Sequence, residues 1–223
     1  MNKSFIRKCC QACINTYKGQ HGKVKQVFDN PIEFSKGDVS GHYAIEDDTL
    51  YIVYQGSHGR ADWIDNFKFW KKDVRKVKPY GNADSDIEVH AGFMEQYKQI
   101  RPTIHGLMKI KKIKAVVCTG HSLGGALATL TAVDIQYNFP DKNITCVTFG
   151  SPRVGNKAFA ESFNKRVPDS WRYVNGDDIV CKVPMAVLFY YHVDDLIEIG
   201  KKKFYKLFFW EDHEPETGYI KNI

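Results

Sequence analysis

The feature that most constrains this chain is the stretch Gly120-His121-Ser122-Leu123-Gly124, which matches the pattern Gly-x-Ser-x-Gly. In this pattern a serine sits on a sharp, strained turn between a strand and a helix, and the turn exposes its hydroxyl. The glycines are needed because a Cβ would clash where the chain reverses direction. The same turn aims the backbone N–H of Leu123 at the place where an oxyanion would form. The pattern predicts a nucleophilic serine if a strand and a helix flank it.

Both flanks have the required character. The apolar run at residues 114–119 predicts a buried strand, and Ala126, Leu127, Leu130 and Val133 recur at helical spacing. Further along the chain, apolar strands near 144–149 and 171–174 alternate with amphipathic helices. This alternation predicts an α/β fold with a mostly parallel central sheet and helices on both faces. Strand, turn and helix together are what an α/β-hydrolase requires.

The length of 223 residues fits a single domain at 1–223, and 43% hydrophobic residues suffice for a full core. Within it we expect an N-terminal helix at 1–18, a polar connector at 19–42 and a short amphipathic segment at 57–70. Cys9, Cys10 and Cys13 fall on one apolar stripe of the first helix and are predicted to be small core residues. Palmitoylation of Cys9 or Cys10 is the alternative. The six cysteines form no metal signature.

The net charge of +6 has two interpretations, solubility or attraction to an anionic lipid surface. The lysine runs lack interleaved aromatic residues, so no nucleic-acid partner is predicted. No apolar run reaches the length of a membrane span, and none follows the basic residues at the N-terminus. We therefore expect no transmembrane segment and no signal peptide. The expected location is cytoplasmic or otherwise intracellular as the chain stands, or secreted if a signal was removed.

Four ordered segments resemble the class 3 lipases, the family of the fungal triacylglycerol lipases. The resemblance runs from about Tyr43 to the C-terminus. The segments are residues 54–57 with 62–64, residues 89–93, residues 120–125 followed by 148–156, and residues 178–180 with 183–184. This resemblance implies an α/β-hydrolase fold and a serine nucleophile, and it places the nucleophile at Ser122.

A serine nucleophile needs a base and a group that orients the base, and in this fold they follow in the order serine, acid, histidine. Asp177 and Asp178 both lie at the end of a predicted strand. The chain alone does not choose between them. The family carries its acid directly before an apolar Ile-Val pair, and this resemblance selects Asp178, which leaves Asp177 as a solvated turn residue.

Two histidines follow Asp178, namely His192 and His213. The family's catalytic histidine lies after the last strand, with an aromatic residue a few positions on, and His213 resembles it. His192 resembles a second family histidine that is not catalytic. His121 is adjacent to the nucleophile, so its side chain is expected to point away from the apex of the turn. His90 is expected to be buried near the elbow in a supporting role.

The oxyanion site requires two donors. Leu123 supplies one through the turn, and Ser57 resembles the family's other oxyanion residue. After it, Trp63, Ile64 and Phe67 recur at helical spacing. They form either a helix stripe that faces the core or a lid that covers Ser122 and turns its apolar face to lipid.

The resemblance implies a serine carboxylic-ester hydrolase that cleaves acyl esters of glycerolipids through an acyl-enzyme, with no metal and no organic cofactor. The expected partners are a lipid ester substrate and, transiently, a lipid surface. A phospholipase A1 or galactolipase is the alternative within enzymes. A catalytically silent interaction protein with a lipase fold is the alternative of another class. The oligomeric state is not predicted.

Overall fold

The computed structural model describes residues 2–17, 21–57, 76–77, 86–193, 195–201 and 210–223. The strands are β1 Ile32–Lys36, β2 Val39–Glu46, β3 Thr49–Tyr54, β4 Lys76–Val77, β5 Val89–His90, β6 Ala115–His121, β7 Asn143–Phe149, β8 Ser170–Asn175 and β9 Asp195–Ile199. The α-helices are α1 Lys3–Asn15, α2 Ala91–Met108, α3 Leu123–Asn138, α4 Lys157–Arg166, α5 Trp210–His213 and α6 Ile220–Asn222. A π-helical turn, Pro215–Tyr219, joins α5 to α6, and 3-10 turns lie at His21–Gln26, Val180–Lys182 and Ala186–Leu188.

One seven-stranded sheet organises the chain, in the order β1-β2-β3-β6-β7-β8-β9. β1, β2 and β3 form an antiparallel meander, and from β3 to β9 every neighbouring pair is parallel. The carboxyl ends of β3, β6, β7 and β8 therefore meet at one edge of the sheet, which is where open α/β sheets place their functional loops. The predicted α/β class with a mostly parallel central sheet is confirmed.

Alternation along the strands gives the sheet two buried faces. On β6, Val116 and Cys118 belong to the larger core, which also contains residues of α2, α3 and α4. Val117 belongs to the second core, where α1 packs together with residues of the C-terminal segment. All thirteen residues from Leu123 to Ile135 in α3 are buried. A helix that is mostly apolar and buried on all sides is expected only in such a covered position.

The predicted first helix is present, and Cys9, Cys10 and Cys13 are all buried at 0–1% exposure as predicted. The predicted connector at 19–42 is wrong in part, since it contains β1 and the beginning of β2. β1 lies at the edge of the sheet, and Phe34 is its one buried residue. Ile32 and Phe34 do alternate with polar residues, but the pattern spans only five residues and Ile32 is exposed, so the signal is weak.

Within the described ranges, no helix is both long enough and apolar enough to cross a membrane.

Two glycines provide a matched test of the packing. A Cβ at Gly120 would lie 2.1 Å from the backbone oxygen of Gly124, whereas a Cβ at Gly106 in α2 would meet nothing within 4 Å. We expect Gly106→Ala to raise the free energy of unfolding by up to about 1 kcal/mol through helix propensity. Gly120→Ala should lower it by about 2 kcal/mol or more, because backbone must move. Urea denaturation measures both, and equal effects would contradict the packing described.

Candidate active site

The turn between β6 and α3 has the strained geometry that the sequence predicts. Ser122 has φ 58° and ψ −128°, which L-residues rarely adopt, and α3 begins at Leu123. Glycine is required on both sides. A Cβ at Gly120 would meet the backbone of Gly124, and a Cβ at Gly124 would lie 2.6 Å from the Tyr54 carbonyl oxygen. Backbone therefore touches backbone where β3, β6 and α3 converge.

The Ser122 side chain is buried, with 2% exposure, and its Oγ has no hydrogen-bond partner among the residues that the structure describes. Its backbone N–H donates to the Phe149 carbonyl oxygen at 2.9 Å, which ties the turn to the end of β7. A hydroxyl that is held in position without a partner can be deprotonated by a base brought close to it. In unliganded sites such serine–base contacts are often long.

Asp178 lies just after β8 and is fully buried. Its Oδ2 accepts hydrogen bonds from His213 Nδ1 at 2.8 Å and from the Tyr219 hydroxyl at 2.5 Å, and its Oδ1 accepts from the Val180 N–H at 2.8 Å. Burial acts to raise the pKa of this carboxyl, but the interactions with His213, Tyr219 and Val180 outweigh it. The pKa of Asp178 is therefore below its usual value, and the carboxylate is charged at neutral pH.

Asp177 has a different environment. Its side chain is 21% exposed and lies 3.9 Å from Lys182 Nζ. Because it is partly solvated and points to a surface lysine, it suits a turn residue, as expected.

His213 lies at the end of α5 and is 1% exposed. Because a carboxylate can only accept, the bond to Asp178 places a proton on Nδ1 of His213. In the neutral ring Nε2 then carries the lone pair that a base needs. The structure thus brings Asp178 and His213 together, and it brings the turn at Ser122 to them through residues 149–150.

Gly150 is a part of this site that the sequence analysis missed. It has φ +59°, and a Cβ there would lie 2.8 Å from Asp178 Oδ2 and 3.0 Å from His213 Nδ1. Any side chain would displace the acid or the base. Its signal was present, since the glycine directly follows a predicted strand.

His192 does not join this group. Its Nε2 lies 2.6 Å from the Cys181 carbonyl oxygen, to which it donates. Burial, with the positive charges of Arg172 and Arg153, lowers the pKa of His192 to about 3. A neutral imidazole tied to backbone fits the expected non-catalytic role. His90 is buried as expected, and its Nδ1 accepts from the Gly92 N–H as the N-cap of α2.

The segment that contains Gly56 and Ser57 follows β3 and reaches the nucleophile. A Cβ at Gly56 would lie 3.2 Å from Ser122 Cβ. Ser57 is the next residue and is half-buried. On the other side of the serine, the N-terminal turn of α3 begins with the Leu123 N–H. Helix N-termini favour negative charge. The predicted lid residues Trp63, Ile64 and Phe67 lie outside the described residues, and their role stays a prediction.

The family Lipase (class 3) matches residues 51–188 of the chain. The chain is 34% identical over 148 residues to the secreted mono- and diacylglycerol lipase 1 of Fusarium solani, which covers 64% of this chain and 41% of that protein. It is 32% identical over 153 residues to the chloroplastic phospholipase A(1) DAD1 of Arabidopsis thaliana, over 62% of this chain and 34% of that protein. The chain therefore spans less than half the length of both relatives.

Among solved structures, the chain is similar to a triacylglycerol lipase whose catalytic centre is formed by a serine protease triad. The TM-score is 0.75 at 27% sequence identity, and the match covers 88% of this chain and 79% of that one. This similarity, together with the sheet order and the turn at Ser122, shows the α/β-hydrolase fold.

The two aspartates can be separated by a matched pair of substitutions. Asp178→Asn should lower kcat by about 10⁴-fold, because an amide no longer holds His213 in the tautomer whose Nε2 is unprotonated and can accept the serine proton. Asp177→Asn should change kcat less than about threefold, since its carboxylate is 21% exposed and lies 3.9 Å from Lys182 Nζ, where an ion pair contributes little. Steady-state hydrolysis of a soluble ester measures both. A larger loss for Asp177→Asn would overturn the assignment.

Two histidines with lowered pKa values, His121 and His192, predict a pH dependence of stability. Burial, followed by the neighbouring His213, lowers the pKa of His121 to about 3, and that of His192 is also about 3. In the unfolded chain both titrate near 6.5. Below pH 6.5 these two histidines therefore bind protons in the unfolded chain but stay neutral in the folded chain. As the pH falls from about 6.5 towards 3, each of these two histidines should lower the free energy of unfolding by about 1.4 kcal/mol per pH unit.

Urea denaturation between pH 6.5 and about 5.5 checks this slope, because ordinary Asp and Glu side chains, with pKa values of about 4, stay largely charged there. His192→Gln keeps a donor for the Cys181 carbonyl and removes one titrating group, so its slope should be shallower than the wild-type slope. Equal slopes would show that His192 is protonated in the folded protein.

Proposed function

The chain belongs to the class 3 lipase family, and we propose on that premise that it is a serine carboxylic-ester hydrolase acting on acyl esters of glycerolipids. The observation that carries the proposal is the buried pair of Asp178 and His213, joined at 2.8 Å, beside the strained turn that presents Ser122. Serine, acid and histidine occur in the order that this fold uses.

In the proposed reaction Ser122 Oγ attacks the ester carbonyl carbon while His213 Nε2 takes its proton. Asp178 orients the ring and stabilises the imidazolium that forms. The imidazolium then gives the proton to the leaving alcohol oxygen as the carbon–oxygen bond breaks, which leaves an acyl-enzyme. Water attacks the acyl carbon with His213 again as base, and His213 returns the proton to Ser122 Oγ as the bond from the acyl carbon to Oγ breaks, which releases the carboxylic acid. Every step is a proton transfer or an acyl transfer, so no metal or organic cofactor is called for.

We propose the backbone N–H of Leu123 and Ser57 as donors to the tetrahedral oxyanion. Leu123 opens α3, where the unpaired N–H groups and the helix dipole favour negative charge. Ser57 follows Gly56, which lies against Ser122. Donors that are fixed before the reaction stabilise the transition state without the reorganisation that water requires.

The substrate class is proposed as glycerides, and a phospholipase A1 is the second candidate. The glyceride reading is supported by the Fusarium solani relative and by the solved triacylglycerol lipase. The phospholipid reading is favoured by the similarity to the phospholipase A(1) of Arabidopsis thaliana. The head group is selected outside the triad, so the same chemistry serves both substrates.

The lid at 57–70, the transient lipid-surface contact and the intracellular location also stay proposals. The Fusarium solani relative is named as secreted.

Ser122→Ala should abolish covalent labelling by a fluorophosphonate and lower kcat by about 10³-fold or more, because it removes the nucleophile. Ser151→Ala is the matched control. Ser151 is also a buried serine beside the turn, but its hydroxyl donates to the Pro152 carbonyl oxygen. It should keep both labelling and turnover. Labelling that survives in Ser122→Ala would overturn the assignment of the nucleophile.

The same wild-type protein should then be assayed on tri-, di- and monoglycerides and on phospholipids. Faster cleavage of glycerides supports the main proposal, and faster cleavage of phospholipids supports the alternative. A folded wild-type protein that neither labels nor cleaves any ester would identify a silent interaction protein.

A further inference from the structure

The helix α1 packs closely on the sheet, and the side chain of Tyr17, just after this helix, lies against His121, the residue before the nucleophile. Its stripe of Cys9, Cys10 and Cys13 is buried, and Cys13 Sγ lies 3.5 Å from Thr119 Oγ1 of β6. Small side chains permit this short approach. Tyr17 lies two residues after the end of α1, so its position is set by the same packing.

The Tyr17 hydroxyl joins two segments of the candidate site. It lies 2.5 Å from His121 Nδ1, and it packs against the backbone of Gly56. The fit is tight, because a Cβ at Gly56 would lie 2.4 Å from the hydroxyl oxygen. Gly56 precedes the oxyanion candidate Ser57, and His121 precedes the nucleophile.

His121 continues the connection to the base. Its Nε2 lies 2.7 Å from the backbone oxygen of His213, and the two rings lie against each other with centroids 4.4 Å apart and planes tilted by 34°. A carbonyl oxygen can only accept, so Nε2 of His121 carries the hydrogen. In the neutral ring Nδ1 is then an acceptor, and the Tyr17 hydroxyl donates to it. Tyr17 therefore donates to His121, and His121 in turn donates to His213.

We propose that Tyr17 and His121 are positioning residues that hold the oxyanion segment and the catalytic base in register with Ser122. The proposal rests on the proposed ester hydrolysis and names a part of its machinery that lies outside the triad. Neither residue touches the reacting atoms in this role. Both act through Gly56 and through the backbone and ring of His213.

The chemistry gives a reason for a neutral ring at position 121. When His213 takes the proton of Ser122 it becomes positively charged, and a second charge 4.4 Å away would oppose that step. A neutral His121 ring avoids this repulsion. Its Nε2–H donates to the backbone oxygen of His213 and so holds the catalytic base in place. Small displacements of a base cost rate, because proton transfer needs hydrogen-bond distance at the moment of reaction.

Tyr17→Phe removes one hydroxyl and leaves the ring in place. We expect kcat on a soluble ester to fall about tenfold with KM within about twofold of the wild type, since Tyr17 acts on the alignment of the reacting groups. The second-order rate constant for fluorophosphonate labelling should fall in parallel, because it reports activation of Ser122 without lipid binding.

Tyr97→Phe is the matched control. Tyr97 is fully buried, and its hydroxyl donates to Asp134 between α2 and α3, in the other core. It should lower the thermal midpoint by a similar amount and leave kcat and labelling unchanged. A purely structural role for Tyr17 would make the two variants alike in all three measurements.

Substitution at His121 supplies a rescue test. The side-chain amide of His121→Gln can place its nitrogen where Nε2 was and restore the bond to the His213 carbonyl, whereas His121→Leu cannot. Retention of several-fold more kcat by His121→Gln than by His121→Leu, at equal KM, supports the proposal. This pair also decides the question if Tyr17→Phe fails to fold.

The proposal is overturned if Tyr17→Phe matches Tyr97→Phe in kcat and labelling, or if only KM changes. It is also overturned if the glutamine and leucine variants at position 121 are equally active. Failure of the proposed function itself looks different. In that case the folded wild-type protein neither hydrolyses esters nor reacts with the fluorophosphonate.

Discussion

The site depends on one place where backbone lies against backbone, the crossing of β3, β6 and the start of α3. A Cβ at Gly120 would overlap the peptide of Gly124, and a Cβ at Gly124 would overlap the carbonyl of Tyr54. This contact forces Ser122 into its positive φ, a strain of about 1–3 kcal/mol that only an over-determined surrounding sustains. The surrounding is α3, whose first thirteen residues are buried against the parallel strands. The strain in turn directs the serine hydroxyl and the first N–H groups of α3 to the same point.

A second constraint is the charge buried at Asp178. A fully buried carboxylate is costly unless it is paired and hydrogen-bonded. Here the donors come from three segments, namely His213, Tyr219 and the N–H of Val180. Tyr219 lies in the C-terminal π-helical turn, six residues after the histidine. The same charge that orients the base therefore also fastens the C-terminal segment to the loop after β8, so that the site and the end of the chain fold as one unit.

Local sequence patterns predicted much of the fold and of the site. The features that were not predicted depend mainly on contacts between distant segments of the chain. The unit of β6, turn and α3 was predicted because all of its signals lie within one stretch. β1 was missed because an edge strand buries only Phe34. The choice between Asp177 and Asp178 needed the family resemblance, since two adjacent carboxylates look alike until burial separates them. The place of His121 was predicted only as a direction, away from the apex. What it meets there comes from Tyr17, 104 residues earlier, and from His213, 92 residues later.

Alternation along β6 explains why two cores contribute to one site. Gly120 faces α3, and that side supplies the turn, its close contacts and the N–H groups at the start of the helix. His121 faces α1, and that side carries the hydrogen bonds that end at the base. Because neighbouring residues of a strand point to opposite faces, His121, directly before the nucleophile, faces the core in which α3 does not pack. The spacing between sheet and α1, set by three small cysteines, thereby becomes part of the geometry around Ser122.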